Sequence, residues 1–144
     1  MKLESKSFHD EEMIPRLYTC DGEDRSPHLA WSEVPSGAKS FALSVIDPDA
    51  PGGDFIHWLI ISIPAEVTEI AEGEVPRGAE QVVNDSGKKD YGGPCPPGGV
   101  HRYFFTVYAL DIEKLSSVKK GNFLNEVNRH KIASAQLMGK YKRA

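Results

Sequence analysis

The sequence has 144 residues, of which 40% are hydrophobic and 26% are charged, a balance that is ordinary for a globular protein and excludes a largely disordered chain. Its 17 Lys and Arg residues are outnumbered by 21 Asp and Glu residues, so the net charge is −4 and we expect no nucleic-acid partner. The length predicts a single domain spanning residues 1–144.

The N-terminus lacks the apolar run of a secretory signal, and no segment approaches the roughly 20 apolar residues of a membrane helix. We therefore expect a cytoplasmic protein without integral membrane association. Cys20 and Cys95 are 75 residues apart, which fits neither a disulfide scaffold nor the close cysteine pairs of a zinc site. The sequence predicts two ordinary thiols.

Short runs of β-branched and aromatic residues bounded by Pro and Gly predict strands along most of the chain. In chain order these runs are 2–8, 28–31, 41–46, 56–63, 80–83 and 101–110, of which the third, fourth and sixth are the clearest. The last run carries bulky side chains on both of its faces, which favours a central strand that is covered on both sides. The pattern as a whole predicts an all-β sandwich.

Helical periodicity is confined to the last quarter of the chain. Ala133, Leu137 and Tyr141 repeat every four residues, and a shorter apolar stripe lies at 123–127. These stripes predict one or two short helices near the C-terminus. Pro, Gly, Asn and Asp mark strong loops at 47–54, 84–87 and 91–99.

Polar side chains stand where the three clearest strands begin or end. Asp47 follows the run 41–46, His57 lies at the start of the next, and His101 opens the third. If the first two strands are antiparallel neighbours, Asp47 and His57 lie at the same end of the sheet. Tyr103 is two residues after His101 and shares its face. We therefore expect a carboxylate and two imidazoles to converge, although each motif alone is also typical of a turn or a half-exposed histidine.

Four segments in a fixed order identify a resemblance to a known family. They are Asp47-Pro48-Asp49-Ala50-Pro51, His57-Trp58, Gly93-Pro94-Cys95-Pro96-Pro97 and His101-Arg102-Tyr103. In this order they resemble the signature of phosphatidylethanolamine-binding proteins, also called Raf kinase inhibitor-like proteins. The segment 14–31 resembles the bacterial and archaeal branch of that family.

The resemblance implies an antiparallel β-sandwich with short C-terminal helices and a pocket that accepts a phosphate-like anion or a phospholipid headgroup. The pocket residues that it implies are Asp47, His57 and His101, with Pro51, Gly93, Pro94 and Tyr103 in the wall. It implies no cofactor, and it implies a cis bond between Ala50 and Pro51. It points to a kinase or a protease as a protein partner and leaves a homodimer open.

The chemistry of these residue types suits an anion. Two imidazoles can offer N–H donors, and Asp47 can fix a tautomer by bonding one of them. We expect anion affinity to rise as the imidazoles protonate below about pH 6.5. We also expect replacement of His57 or His101 by Ala to weaken anion binding by roughly tenfold with little loss of stability.

An enzyme is the competing class of function. Two histidines and one carboxylate could form a facial metal triad that supports hydrolysis or oxygen chemistry. Alternatively, Cys95 could be a nucleophile with His101 as its base in a thiol-dependent hydrolase. We favour binding over both, because Asp47 in a Pro-Gly loop needs no ion and Cys95 between two prolines has no evident oxyanion donors.

Overall fold

Eight strands and one α-helix form the fold of the computed structural model, which describes residues 1–143. In chain order the strands are β1 (Lys2–Glu4), β2 (Leu29–Ser32), β3 (Ser40–Asp47), β4 (Phe55–Pro64), β5 (Glu69–Ile70), β6 (Glu80–Val82), β7 (His101–Leu110) and β8 (Lys131–Tyr141). The helix α1 is Phe123–His130, and a 3-10 turn covers Arg16–Tyr18.

The strands form two sheets in which every pair of neighbours is antiparallel. The smaller sheet has the order β1-β2-β5, and the larger has the order β6-β4-β3-β7-β8. The predicted all-β antiparallel fold with a short C-terminal helix is confirmed. The predicted position of 101–110 inside a sheet is also confirmed, because β7 lies between β3 and β8.

Both faces of the larger sheet are covered in its central strands. One apolar cluster fills the space between the two sheets and includes Trp31, Phe41 and Phe105, all of which are buried. A second cluster lies on the opposite face, where Phe123 and Val127 of α1 pack. This two-sided burial explains why the central strands read as continuous apolar runs without a polar face.

The prediction of a helix around Ala133, Leu137 and Tyr141 is wrong, because these residues lie in the edge strand β8. A spacing of four is also an even spacing, so the three side chains share one face of a strand as readily as one face of a helix. Pairing with β7 over its full length decides between the two. The stripe at 123–127 does form the predicted helix, with Leu124 left exposed.

The prediction of two free thiols is also wrong, because Cys20 and Cys95 form a disulfide. Their separation in sequence gave no spacing signal. The fold packs the loop that carries Cys95 against the segment after the 3-10 turn, where the Cys20 N–H donates to the Pro94 carbonyl oxygen. A helix that is both long and apolar enough to cross a membrane is not found in residues 1–143.

Candidate functional site

The site lies at one end of the larger sheet, where three strand termini meet. β3 ends at Asp47, which faces Phe55 at the start of β4, and Ile46 faces Phe104 of β7. This register brings Asp47, His57 and His101 to the same end of the sheet, as the sequence predicted.

Asp47 and His101 form a buried pair. His101 Nδ1 lies 2.7 Å from Asp47 Oδ2, and the two residues are 6% and 3% exposed. The other oxygen, Oδ1, accepts the Asp49 N–H at 2.7 Å and closes the turn after β3. The Asp47 carboxylate therefore fixes the orientation of the His101 ring, and the same side chain shapes the loop.

Asp49 ties this loop to the start of β7. Its carboxylate accepts Arg102 Nε and a terminal guanidinium nitrogen, each at 2.8 Å, as well as the Arg102 backbone N–H at 2.9 Å. The guanidinium lowers the pKa of the Asp49 carboxyl to about 2. The bidentate pair is half exposed and anchors the loop beside the cavity rather than inside it.

His57 is held through its backbone and its ring. Its Nδ1 lies 2.7 Å from the Gly92 carbonyl oxygen, and the Gly92 N–H donates to the His57 carbonyl oxygen at 3.1 Å. The ring is 7% exposed and packs edge-on against Tyr103 and obliquely against Phe55. Burial lowers the pKa of this imidazole, and the Gly92 bond and the charge of Asp47 offset only part of that effect.

Asn84 organises the neighbouring loop. Its fully buried amide donates to the carbonyl oxygens of His57 and Asp90, and its Oδ1 accepts the N–H groups of Ser86 and Lys88. Sequence reasoning assigned residues 84–87 to a loop and missed this role. An Asn at the start of a loop gives only the signal of a turn.

The proline-rich segment forms the opposite wall and is anchored to residues 18–24. Asp24 Oδ1 accepts the Gly93 N–H at 2.8 Å, the Tyr91 hydroxyl donates to the Tyr18 carbonyl oxygen at 2.8 Å, and the Cys20–Cys95 disulfide adds a covalent link. A Cβ on Gly93 would collide with Asp24 Oδ1 and the Tyr18 carbonyl oxygen, so the close approach requires glycine.

These walls enclose a cavity of about 270 Å³. Its lining residues are Asp47, Ala50, Pro51, Phe55, His57, Ser86, Gly93, Cys95, Pro96, Pro97, His101 and Tyr103. The polar groups converge on one side, and proline and aromatic side chains supply the rest, which is the usual composition of a small-ligand site.

The structure brings together six of the seven residues that sequence analysis assigned to the pocket. Pro94 is the exception, because it is buried and is not among the lining residues. The Ala50–Pro51 bond is trans, so the predicted cis bond is wrong. The other six lining residues were not assigned to the pocket: Ala50, Phe55, Ser86, Pro96 and Pro97, whose residue types do not separate a lining position from an ordinary one, and Cys95, which was considered only as a nucleophile.

Tyr103 contributes a polar atom that has no partner. Its side chain is fully buried, and its hydroxyl makes no hydrogen bond among residues 1–143. Burial, together with the nearby charge of Asp47, raises the pKa of this phenol. The hydroxyl is therefore a neutral donor at the base of the site.

A larger groove of about 550 Å³ is lined by residues of β1, of the segment 8–10 and of β8. It contains no buried ion pair and only the exposed His9 among imidazoles. Convergent buried polar groups, and not size, mark the smaller cavity as the candidate site.

The thiol-dependent hydrolase loses its nucleophile in this structure. Cys95 lines the cavity, but its sulfur is bonded to Cys20 and cannot attack a carbonyl group. Within residues 1–143, no cluster of three or more His, Cys, Asp or Glu residues has an arrangement that could hold a metal ion.

Comparison with known proteins gives consistent matches over nearly the whole chain. The sequence model described as phosphatidylethanolamine-binding protein matches residues 4–142. A UPF0098 protein of Aquifex aeolicus is 45% identical over 99% of this chain and 89% of its own length. A UPF0098 protein of Methanothermobacter thermautotrophicus is also 45% identical, over 99% of both chains.

The fold is matched equally well among solved structures. The crystal structure of Escherichia coli YbcL, described as a new member of the mammalian PEBP family, aligns with a TM-score of 0.93 and 36% identity. The alignment covers 99% of this chain and 98% of that one.

Proposed function

Since this chain belongs to the phosphatidylethanolamine-binding protein family, we propose that its cavity binds a phosphate-like oxyanion, either free or as the headgroup of a phospholipid. The observation that carries this proposal is the convergence of the Asp47–His101 pair and the His57 ring on one small cavity. The ligand-binding residues that we propose are Asp47, Pro51, His57, Gly93, His101 and Tyr103. Pro94, which is buried and does not line the cavity, would support the wall.

The size and lining of the cavity support a small headgroup. A volume of about 270 Å³ falls just below the usual range of small-molecule sites, which begins near 300 Å³. Pro51, Phe55, Pro96 and Pro97 surround the polar groups with apolar surface. These apolar side chains would be covered favourably by an ester substituent or by the glycerol end of a lipid headgroup, whereas contact with water is unfavourable for them.

Titration calorimetry with inorganic phosphate and with phosphoethanolamine tests the proposal. We expect both to bind, and we expect His57→Ala to weaken binding by roughly tenfold or more, because a hydrogen bond to a charged group contributes about 1.5 to 3 kcal/mol. His130→Ala is the matched control, since His130 pairs with Asp111 outside the cavity. If neither compound binds, or if both variants behave alike, the proposal is wrong.

A comparison of the two affinities, followed by a vesicle assay, distinguishes a lipid headgroup from a free phosphate compound as the ligand. If phosphoethanolamine binds much more tightly than phosphate, vesicles containing phosphatidylethanolamine can be compared with vesicles of phosphatidylcholine alone. Selective sedimentation with the first vesicles supports a lipid ligand, whereas binding of the free compounds alone supports a small metabolite.

We further propose that the mouth of the cavity contacts a protein partner, and a kinase or a protease is the class that the family resemblance suggested. Val100 is 53% exposed beside His101, and Pro51 and Pro97 are also exposed at the mouth. Inhibition assays against a panel of both enzyme classes, with Val100→Glu as the comparison, test this proposal. A homodimer is an alternative assembly through the same surface, which light scattering would detect.

A cytoplasmic location is also part of the proposal, and the disulfide makes it testable. A reducing cytosol keeps most thiols free, whereas oxidising compartments and the cytosol of hyperthermophiles retain disulfides. Trapping thiols with an alkylating agent during cell lysis, together with fractionation, measures both properties. An oxidised pair recovered only outside the cytoplasm would contradict the proposed location.

A further inference from the structure

Both imidazoles of the cavity have their Nδ1 atoms engaged by protein acceptors. His57 Nδ1 faces the Gly92 carbonyl oxygen, and His101 Nδ1 faces Asp47 Oδ2, each at 2.7 Å. A carbonyl oxygen and an ionised carboxylate only accept hydrogen bonds, so each Nδ1 carries a hydrogen. In a neutral ring the other nitrogen, Nε2, is then an acceptor.

Both Nε2 atoms are open to the cavity. Neither has a hydrogen-bond partner in the described part of the chain. The fully buried side-chain polar atoms that lack a partner there are Trp31 Nε1 and Tyr103 Oη, so the Nε2 atoms of His57 and His101 retain solvent contact. Since both rings line the cavity, these two nitrogens are available to a bound ligand.

No fixed positive charge compensates for the two acceptors, because the lining contains neither Lys nor Arg. Arg102, which follows His101 in the chain, lies outside the lining and is neutralised by its bidentate pair with Asp49. An anion with two full charges would therefore meet the Asp47 carboxylate and the lone pair of a neutral His57.

The charged groups around the rings are mainly carboxylates, of which Asp49 is paired with Arg102 and Asp85 is paired with Lys120. Asp47 acts on both imidazoles, and Asp24 and Asp85 act on His57 from the neighbouring loops. They favour protonation of His57, but burial has the larger effect and lowers the pKa of that imidazole. A neutral His57 at pH 7 is consistent with the hydrogen-bond geometry.

On the basis of the proposed oxyanion function, we propose that the pocket selects oxyanions that carry their own proton: the monoanions of phosphate monoesters and phosphonates, in preference to dianions. The P–OH group donates to an imidazole Nε2. The remaining oxygens accept from the hydroxyl groups of Ser86 and Tyr103, which both line the cavity, and the Tyr103 hydroxyl has no partner within residues 1–143. A ligand that both donates and accepts matches this set, whereas a bare dianion does not.

A comparison of oxyanions that can and cannot carry a proton tests this proposal without any variant. Calorimetry between pH 5 and pH 8.5 would compare methylphosphonate, difluoromethylphosphonate and sulfate. Above the second pKa of each phosphonate we expect affinity to fall about tenfold per pH unit, as its monoanion is depleted. The two midpoints should differ by the difference between the two ligand pKa values, and sulfate should bind at least tenfold more weakly than methylphosphonate at pH 7.

The alternative outcomes are distinct from one another. Sulfate carries no proton at pH 7, so sulfate binding as tightly as methylphosphonate would mean that protonated imidazoles capture dianions; the oxyanion function would stand and this inference would fall. Absence of binding by all three ions at every pH would overturn the oxyanion function itself.

A substitution locates the effect. His57→Gln replaces the imidazole by an amide whose NH2 group can donate, so we expect the preference for methylphosphonate over sulfate to shrink at least threefold. His9→Gln, at an exposed imidazole outside the cavity, should leave the preference unchanged. An unchanged preference in a folded His57→Gln variant would contradict the proposal that this ring detects the proton.

Discussion

Asp47 and Asp49 are two residues apart in one turn and have different roles. Asp47 is buried, orients His101 and accepts the backbone N–H of Asp49, whereas Asp49 clamps Arg102 near the surface. The first carboxylate sets the chemistry of the cavity, and the second holds the loop in place.

Burial of the two imidazoles changes what their removal should do. The sequence led us to expect little loss of stability, but both rings are more than 90% buried. His101→Ala would remove the hydrogen-bond donor of Asp47 Oδ2, and a buried acceptor left without a partner costs about 1 to 3 kcal/mol. The binding test is therefore better made with His57, whose Nδ1 partner is the carbonyl oxygen of a loop residue.

The lowered pKa of His57 predicts how stability depends on pH. The unfolded imidazole titrates near 6.5 and the folded one at a lower pH, so the unfolded state binds more protons between those values. The free energy of unfolding should therefore fall as the pH drops from 7 through 6.5 to the folded pKa. Thermal denaturation in a buffer without oxyanions should show this slope, and His57→Gln should flatten it.

The Asp49 carboxylate affects stability in a separate and lower range of pH. The carboxyl pKa of Asp49 is lowered to about 2, so its contribution is present above the unfolded value of about 4 and is lost as the pH falls toward 2. A slope between pH 7 and pH 5 that persists unchanged in His57→Gln would show that another group is responsible.

Gly93 gives a prediction that depends on space alone. Gly93→Ala would push against Asp24 and the Tyr18 carbonyl oxygen, and overpacking of this kind typically costs about 1 to 3 kcal/mol. Gly98→Ala in the same loop is the control, because nothing lies within 4 Å of its added Cβ. Chemical denaturation should place the midpoint of Gly93→Ala well below that of Gly98→Ala, and equal midpoints would contradict the packing argument.

At the scale of elements, the strands that were predicted most clearly are the ones buried on both faces. Their β-branched and aromatic runs are long and bounded by clear turns, and the predicted run 101–110 coincides with β7. The two-residue strand β5 was missed because two residues form no pattern. β8 was misassigned because an interval of four fits a helix and a strand equally well.

The Cys20–Cys95 disulfide joins two loops that are far apart in the sequence. Linking residues 75 positions apart restricts the unfolded chain and should stabilise the fold by about 4 kcal/mol. We expect the Cys20→Ser, Cys95→Ser double variant, or the reduced wild-type protein, to melt at a clearly lower temperature. Calorimetry with and without reductant measures this effect.

Loss of the disulfide should reduce oxyanion affinity less than it reduces the stability of the fold. Three hydrogen bonds still join the same two loops without the disulfide. They run from the Gly93 N–H to Asp24, from the Tyr91 hydroxyl to the Tyr18 carbonyl oxygen, and from the Cys20 N–H to the Pro94 carbonyl oxygen. Oxyanion affinity of the reduced protein well below its melting temperature should thus stay within a few fold of the oxidised value. A complete loss of binding would mean that the covalent link itself shapes the wall.

For the whole molecule, the sequence could predict which residues meet but not how they are bonded. Motif order and strand ends sufficed to bring Asp47, His57 and His101 together. The Nδ1 contacts of the two rings, the buried amide of Asn84 and the exclusion of Pro94 from the lining depend on side-chain directions in loops. Those directions depend on packing between residues that are far apart in the sequence, so they cannot be predicted from residue types and spacing within one segment.

The position of β3 at the centre of the larger sheet has a consequence for the order in which the protein forms. Asp47 and His101 are 54 residues apart along the chain, and they meet only when β3 and β7 pair. Pairings of such large sequence separation close long loops, so sheets built from them fold on a scale of milliseconds to seconds. The cavity thus forms only after this pairing, so we expect a bound oxyanion to slow unfolding without accelerating refolding.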